Sequence, residues 1–320
     1  MFFAYMKTLV PNALRRGDTI GLISPSSHCS YPDRIQLAVS YLEKNGYRVK
    51  PSVHLNRIDT DPSIADAEKL QDLHGMFSDP SIRAIICLRG GAGASRLLKK
   101  IDYNLIASNP KILVGYSDIT ALSLAVFSQT GLISFSGPML ATELHEPTPY
   151  TEEHFWGILT APAYARSLHN HESHAITCIR EGVAEGRLIG GNLSVLSSMI
   201  GTPYLPAFCE TLLFLEDINE PAYRIDRMLS HLGNAGLLAE SSGILFGQFS
   251  GEPEKAGEAL RLEKMFDYYS APAHINGPAM RGLSYGHIRN LMTIPIGAKF
   301  RMEISASTFS LKALEPVVQE

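Results

Sequence analysis

Ser117 stands in Gly115-Tyr116-Ser117-Asp118-Ile119, between a short apolar run and a helix-like segment. A serine at a sharp strand-to-helix turn can expose its hydroxyl for attack, and the next backbone N–H can donate to an oxyanion. The same serine could instead cap the helix. Ile119 occupies the place where a Gly-x-Ser-x-Gly elbow would close with glycine. Nucleophilic attack by serine needs a base and a group that orients the base. Of eleven histidines, His287 in Leu283-Ser284-Tyr285-Gly286-His287 is the candidate base, and a surface or core histidine is the alternative. Glu216 and Asp217 end the apolar run Leu212-Leu213-Phe214-Leu215. Either Glu216 is a polar site group, or the pair caps the helix that carries Tyr223 to Arg227. Arg89-Gly90-Gly91-Ala92-Gly93 follows another apolar run, and its backbone N–H groups could face an anion or a developing oxyanion. It has neither the ending of a Walker A loop nor the dinucleotide spacing, and a plain tight turn also fits. His169, His171 and His174 lie in a polar stretch with no common zinc spacing, so no metal is expected.

Ligands of an open parallel sheet bind beyond the carboxyl ends of its strands, and the hydropathy pattern supplies such a sheet. Strands are predicted over 19–24, 47–53, 82–88, 111–115 and 133–135. They alternate with helices near 33–42, 64–77, 94–98 and 118–131, which implies a parallel sheet with helices on both faces. Residues 143–174 are rich in His, Pro, Glu and Tyr and weakly periodic. Strands resume near 176–179, 212–215 and 243–249, with helices near 193–200, 223–232 and 256–269, and 291–314 alternates like β-structure with a turn at Pro295-Ile296-Gly297. The expected organisation is an N-terminal α/β domain over 1–145, doubly wound and mostly parallel, a linker or insertion over 146–175, and a smaller C-terminal β/α domain over 176–320.

Composition narrows the classes. Hydrophobic residues make up 45% and charged residues 19%, enough to bury a core and too apolar for disorder. Twenty-eight Lys and Arg against 32 Asp and Glu give a net charge of −4, which argues against a basic nucleic-acid binder. Cys29, Cys87, Cys178 and Cys209 form no Cys-x-x-Cys pair and are expected to be reduced core thiols. Residues 1–7 lack a signal-like n-region and h-region. The uncharged stretches 119–142 and 188–209 are broken by Gly, Pro, Ser, Gln or Asn and read as buried segments rather than membrane spans.

Taken together, the motifs resemble the LD-carboxypeptidase (muramoyltetrapeptide carboxypeptidase) family, which includes the microcin-immunity peptidases. The resemblance runs from Gly17-Asp18-Thr19 to Pro25-Ser26, through Arg89-Gly90-Gly91, Val114 to Leu122, Gly190-Gly191-Asn192-Leu193, Gly201-Thr202-Pro203, Leu215-Glu216-Asp217 and Tyr223 to Leu229, to Tyr285-Gly286-His287 and Pro295-Ile296-Gly297. It implies a serine peptidase with Ser117 as nucleophile, Glu216 as orienting carboxylate and His287 as general base, in a cleft between two domains. Gly91 and Asp118 would give the oxyanion-binding N–H groups, with Gly90 the alternative to Gly91. Arg89, Tyr116 and Asn192 are candidate substrate-binding residues, and Arg224 and Arg227 are further candidates for a terminal carboxylate on charge alone. Ala92 stands where the family loop commonly carries an aromatic. The implied substrate is a murein tetrapeptide losing D-alanine, with no cofactor, no nucleic acid and no membrane partner, in a cytoplasmic homodimer. The alternatives are a peptidase that hydrolyses peptidyl or aminoacyl nucleotide antibiotics with the same triad, and a non-catalytic binder of wall peptides.

Overall fold

The computed structural model describes residues 7–58, 61–251 and 258–320. Residues 1–6, read above for a signal, lie outside the described residues, as do 256 and 257 at the start of an expected helix. Two sheets organise the chain. The first is laid down by β1 (Thr19–Ile23), β2 (Arg48–Pro51), β3 (Ile82–Cys87), β4 (Ile112–Val114) and β5 (Ser134–Ser136). The second takes β6 (Thr177–Arg180), β7 (Gly182–Asn192), β8 (Thr211–Ile218), β9 (Gly243–Ser250) and β10 (Ala279–Arg281). The chain then returns to the first sheet with β11 (Ile294–Ile296) and ends in the second with β12 (Lys299–Ile304) and β13 (Phe309–Ala313).

The first sheet has the order β11-β5-β4-β3-β1-β2. β1 to β5 pair in parallel, and β11 joins β5 antiparallel at the edge. The strands are the continuous apolar runs a two-sided sheet demands: in β3 every residue except Arg83 is buried. The order reverses between β1 and β3, and in sheets of this kind such a switch point is where loops beyond the carboxyl ends diverge. The second sheet has the order β13-β12-β7-β8-β9-β10-β6, with β7 to β10 parallel and the flanking strands antiparallel. This gives the mixed α/β class expected, with six strands in the first sheet and seven in the second.

The helix Ile119–Thr130 joins the halves. It packs against β5 and β11 of one sheet and β7 of the other, and it is apolar nearly all round because most of its residues are buried. Buried apolar side chains from both halves form one cluster. Among the described residues no helix is long and apolar enough to cross a membrane.

Three other expectations change. The stretch expected as a linker or insertion is not a bare linker: it carries the helix Pro149–Thr160, in which Tyr150, Phe155, Ile158 and Leu159 are buried. β7 went unread because its glycines and its Glu185 and Arg187 interrupt the apolar pattern; pairing with β8 and β12 on both sides makes it a strand. The cysteines are free but not all in the core: Cys29 and Cys87 are buried, whereas Cys178 on β6 is half-buried and Cys209, in the turn before β8, is exposed.

Candidate active site

Ser117 lies three residues beyond the end of β4 and holds a left-handed φ of 63°. That backbone region is strained for a residue with a side chain and gathers at functional turns. Two glycines permit the turn. A Cβ on Gly115 would come within 2.8 Å of Ile119 Cγ2, and one on Gly90 within 2.7 Å of Ser117 Cβ and 2.8 Å of its Oγ. The glycine loop after β3 is therefore pressed onto the serine. The next residue, Asp118, turns its carboxylate inward, where Oδ2 accepts from Ser26 Oγ at 2.6 Å and from Ala94 N at 2.9 Å. One carboxylate oxygen thus ties together the loops after β1, β3 and β4. Among the described residues neither the Gly91 nor the Asp118 N–H donates to a protein group.

Glu216 comes from β8 and is fully buried. His287 comes from the loop after β10, its side chain 17% exposed. The structure brings these residues to Ser117 across 170 positions of sequence: His287 Nε2 lies 3.1 Å from Ser117 Oγ, and Nδ1 lies 2.8 Å from Glu216 Oε2. Burial, the largest influence on His287, pulls its pKa down. The Glu216 hydrogen bond and charge, with Glu143 and Asp217, outweigh it and leave the pKa raised. An imidazole so placed can take a proton from the serine and hold the charge.

Asn192 was expected at the substrate, but it is buried and stands behind Glu216. Its Nδ2 donates to Glu216 Oε1 at 3.2 Å and to Asp217 Oδ1 at 3.0 Å, while its Oδ1 accepts from Ser194 Oγ and Val195 N. Asp217 does not cap the helix that follows it. Its Oδ2 accepts from Ser194 N, in the first turn of the helix Leu193–Ser198, and burial raises its pKa to about 6. Arg89 braces the glycine loop, donating to the carbonyls of Gly90 and His28. Arg224 and Arg227 lie on the helix Ala222–Asn234, where Arg224 pairs with Glu220 at 2.9 Å and Arg227 lies over the Tyr223 ring. Neither lines the pocket beside the serine.

That pocket encloses about 380 Å³ and is lined by Tyr116 and His287 together with residues the sequence reading passed over, among them Arg34, Glu143, His145 and Arg289. The Tyr116 hydroxyl donates to Glu143 Oε1 at 2.7 Å, and its ring sits 5.0 Å from the His287 ring. Glu143 Oε2 accepts from Met139 N and Thr142 Oγ1. Burial raises the Glu143 pKa against the pull of these hydrogen bonds. The one sequence signal for Glu143 is a carboxylate one residue beyond the apolar run at 139–141, with Thr142 between. Among the described residues no group of three His, Cys, Asp or Glu side chains is arranged to hold a metal ion.

A mixed α/β chain with these groups at the strand ends falls in the class of peptidase hydrolases. It belongs to the LD-carboxypeptidase family: residues 20–137 match the family's N-terminal domain and residues 185–302 its C-terminal domain. The chain is 39% identical over 306 residues to a Bacillus subtilis protein named probable murein peptide carboxypeptidase, covering 95% of this chain and 94% of the other. It is 32% identical over 274 residues to the murein tetrapeptide carboxypeptidase of Pseudomonas aeruginosa, covering 84% and 87%. The microcin C7 self-immunity protein MccF of Escherichia coli is 28% identical over 95% of each chain. A structure of MccF in complex with glutamyl sulfamoyl guanosine matches with a TM-score of 0.86 at 26% identity, over 97% of this chain and all of that one.

Proposed function

We propose that this protein is a serine carboxypeptidase that removes the terminal D-alanine of murein tetrapeptides, hydrolysing the amide between an L-centre and D-alanine during wall recycling. The observation that carries the reading is the hydrogen-bonded series from the strained Ser117 through His287 to the buried Glu216. In this mechanism His287 Nε2 takes the Ser117 proton as Oγ attacks the carbonyl carbon, and Glu216 holds the Nδ1–H tautomer. The oxyanion is received by the N–H groups of Gly91 and Asp118; removing one such donor typically costs about 2.7–4 kcal/mol of transition-state stabilisation. His287 then protonates the leaving nitrogen as the C–N bond breaks and D-alanine departs. A water molecule, deprotonated by the same imidazole, attacks the ester and returns the serine. Side chains and backbone supply every step, so the reading calls for no cofactor. It also carries a cytoplasmic homodimer in which the cleft lies between an N-terminal and a C-terminal domain.

The likeness to MccF favours a second reading, cleavage of an aminoacyl nucleotide by the same groups. The chain's single tryptophan, Trp156, is one aromatic that could stack on a nucleobase. It is instead stacked on Tyr47 at 4.8 Å and donates to the Tyr41 hydroxyl at 2.7 Å, which takes it out of that role.

Mass spectrometry of a disaccharide-linked murein tetrapeptide, incubated with wild type and with Ser117→Ala, tests the proposal. Loss of one D-alanine with wild type alone is expected, with the melting temperatures of the two proteins close. Cleavage of an aminoacyl sulfamoyl adenosine with the tetrapeptide left intact would establish the second reading. Tetrapeptide binding without turnover, and without Ser117 modification by a serine-directed phosphonate, would make the protein a binder.

A further inference from the structure

A carboxypeptidase has to recognise a free terminal carboxylate, and the three arginines suggested by sequence do not line the pocket beside Ser117. The side of the serine on which the leaving residue sits follows from proton transfer. His287 Nε2 must protonate the departing nitrogen, so the leaving residue lies on the imidazole side. The 380 Å³ pocket is on that side: Tyr116 and His287 are in its wall, whereas the proposed oxyanion residues Gly91 and Asp118 are not.

The charges in that pocket are unequal in availability. Glu143 has both carboxylate oxygens engaged by Tyr116, Thr142 and the Met139 N–H. Glu146 pairs with Arg289 at 3.5 Å, both side chains 72% exposed. Arg34 has no carboxylate partner among the described residues, and its guanidinium lies 4.7 Å from the centre of the Tyr31 ring. His145 lines the same pocket, with its Nδ1 buried. Burial first, then the charges of Arg34 and Arg289 against that of Glu146, lower the His145 pKa, so both guanidinium groups act on this ring. Stacking on a ring restricts a guanidinium while leaving its N–H fork free for a carboxylate.

We infer that Arg34, with Arg289 at the rim, binds the terminal carboxylate of the leaving amino acid and so confines cleavage to the last residue of the peptide. The inference rests on the carboxypeptidase reading. The experiment measures kcat/KM for the tetrapeptide with a free C-terminal carboxylate and for the same peptide with a C-terminal amide, using wild type, Arg34→Gln, Arg34→Lys and Arg289→Gln. Arg34 is exposed, so its replacement leaves the core intact. Wild type should prefer the acid. Arg34→Gln should reduce the acid-to-amide ratio about 10- to 100-fold, the range of a lost charge-assisted hydrogen bond. Arg34→Lys should recover part of the ratio, and Arg289→Gln should lower it less. An Arg34→Gln enzyme that keeps the wild-type ratio would overturn the subsite and leave the carboxypeptidase reading standing, because a merely structural defect slows both peptides alike. If wild type cleaves neither peptide, the carboxypeptidase reading fails and the subsite falls with it.

Discussion

Replacing Glu216 by glutamine tests the proposed relay through hydrogen-bond directionality alone. The substitution preserves shape, and the site dictates how the new amide must sit. Asn192 cannot turn over, because its Oδ1 accepts from the Val195 N–H and its Nδ2 faces Asp217 as well as Glu216. Its donor end therefore selects the glutamine carbonyl, and the amide NH2 is left facing His287 Nδ1 in place of the Oε2 that now lies 2.8 Å away. Two donors cannot share that contact, so Nδ1 must become the acceptor and the ring proton moves to Nε2. The imidazole then presents N–H to Ser117 Oγ and cannot take its proton. In serine proteases the equivalent change lowers kcat by about 10⁴, close to 5.5 kcal/mol. The assay is D-alanine release from the tetrapeptide by Glu216→Gln and wild type, with circular dichroism to show that the fold is retained and ¹⁵N NMR to read the His287 tautomer. We expect a loss of 10³- to 10⁴-fold with the Nε2–H tautomer. Activity within about tenfold of wild type, with the tautomer reversed, would refute the assignment of His287 as the base.

Further outcomes follow from the same geometry. Gly90→Ala should cost at least about 100-fold in kcat, because the added methyl would press on Ser117 Oγ and displace it from attack geometry; steady-state kinetics and thermal melting separate this from unfolding. The raised His287 pKa means that the free base forms only as pH climbs through a value above the ordinary 6.5, so kcat/KM should rise through that point. Glu143→Gln can still accept from Met139 and can donate to Tyr116, but it removes a negative charge that favours protonated His287. Its acid limb should move to lower pH, by up to about one unit, in a pH–rate profile; an unmoved limb would show that Glu143 does not act on the base.

Much of the scaffold was legible along the chain, for a physical reason. Strands buried on both faces, such as β3, read as unbroken apolar runs, and the turns that follow them announce themselves through glycine and serine. The helix Pro149–Thr160 was also signalled, by Thr148 at its N-cap, Pro149 in its first turn and Glu152 close behind, but its His- and Pro-rich setting drew the reading toward a linker. No such local signal exists for β7, where pairing on both sides overrides glycines and charges. β11 falls inside the β-like stretch 291–314, but its Pro295 and Ile296, expected in a turn, are strand residues, and only pairing with β5 places it in the first sheet.

The sequence by itself determined the alternation of strands and helices, the family motifs and the residue types able to attack, to relay a proton and to bear charge. Only the tertiary structure decided which of them meet. Ser117 and His287 are 170 residues apart, and His287 and Glu216 are 71 apart. The contact of Ser117 with His287 depends on two sheets docking about one buried helix, which no local pattern encodes. Packing within each half turns Asp118 and Asn192 inward as braces, and the docking gathers Arg34, Glu143 and Arg289 around one pocket. Directional hydrogen bonds and charge pairs act over a few ångströms, so the partners of these side chains depend on where the fold places them.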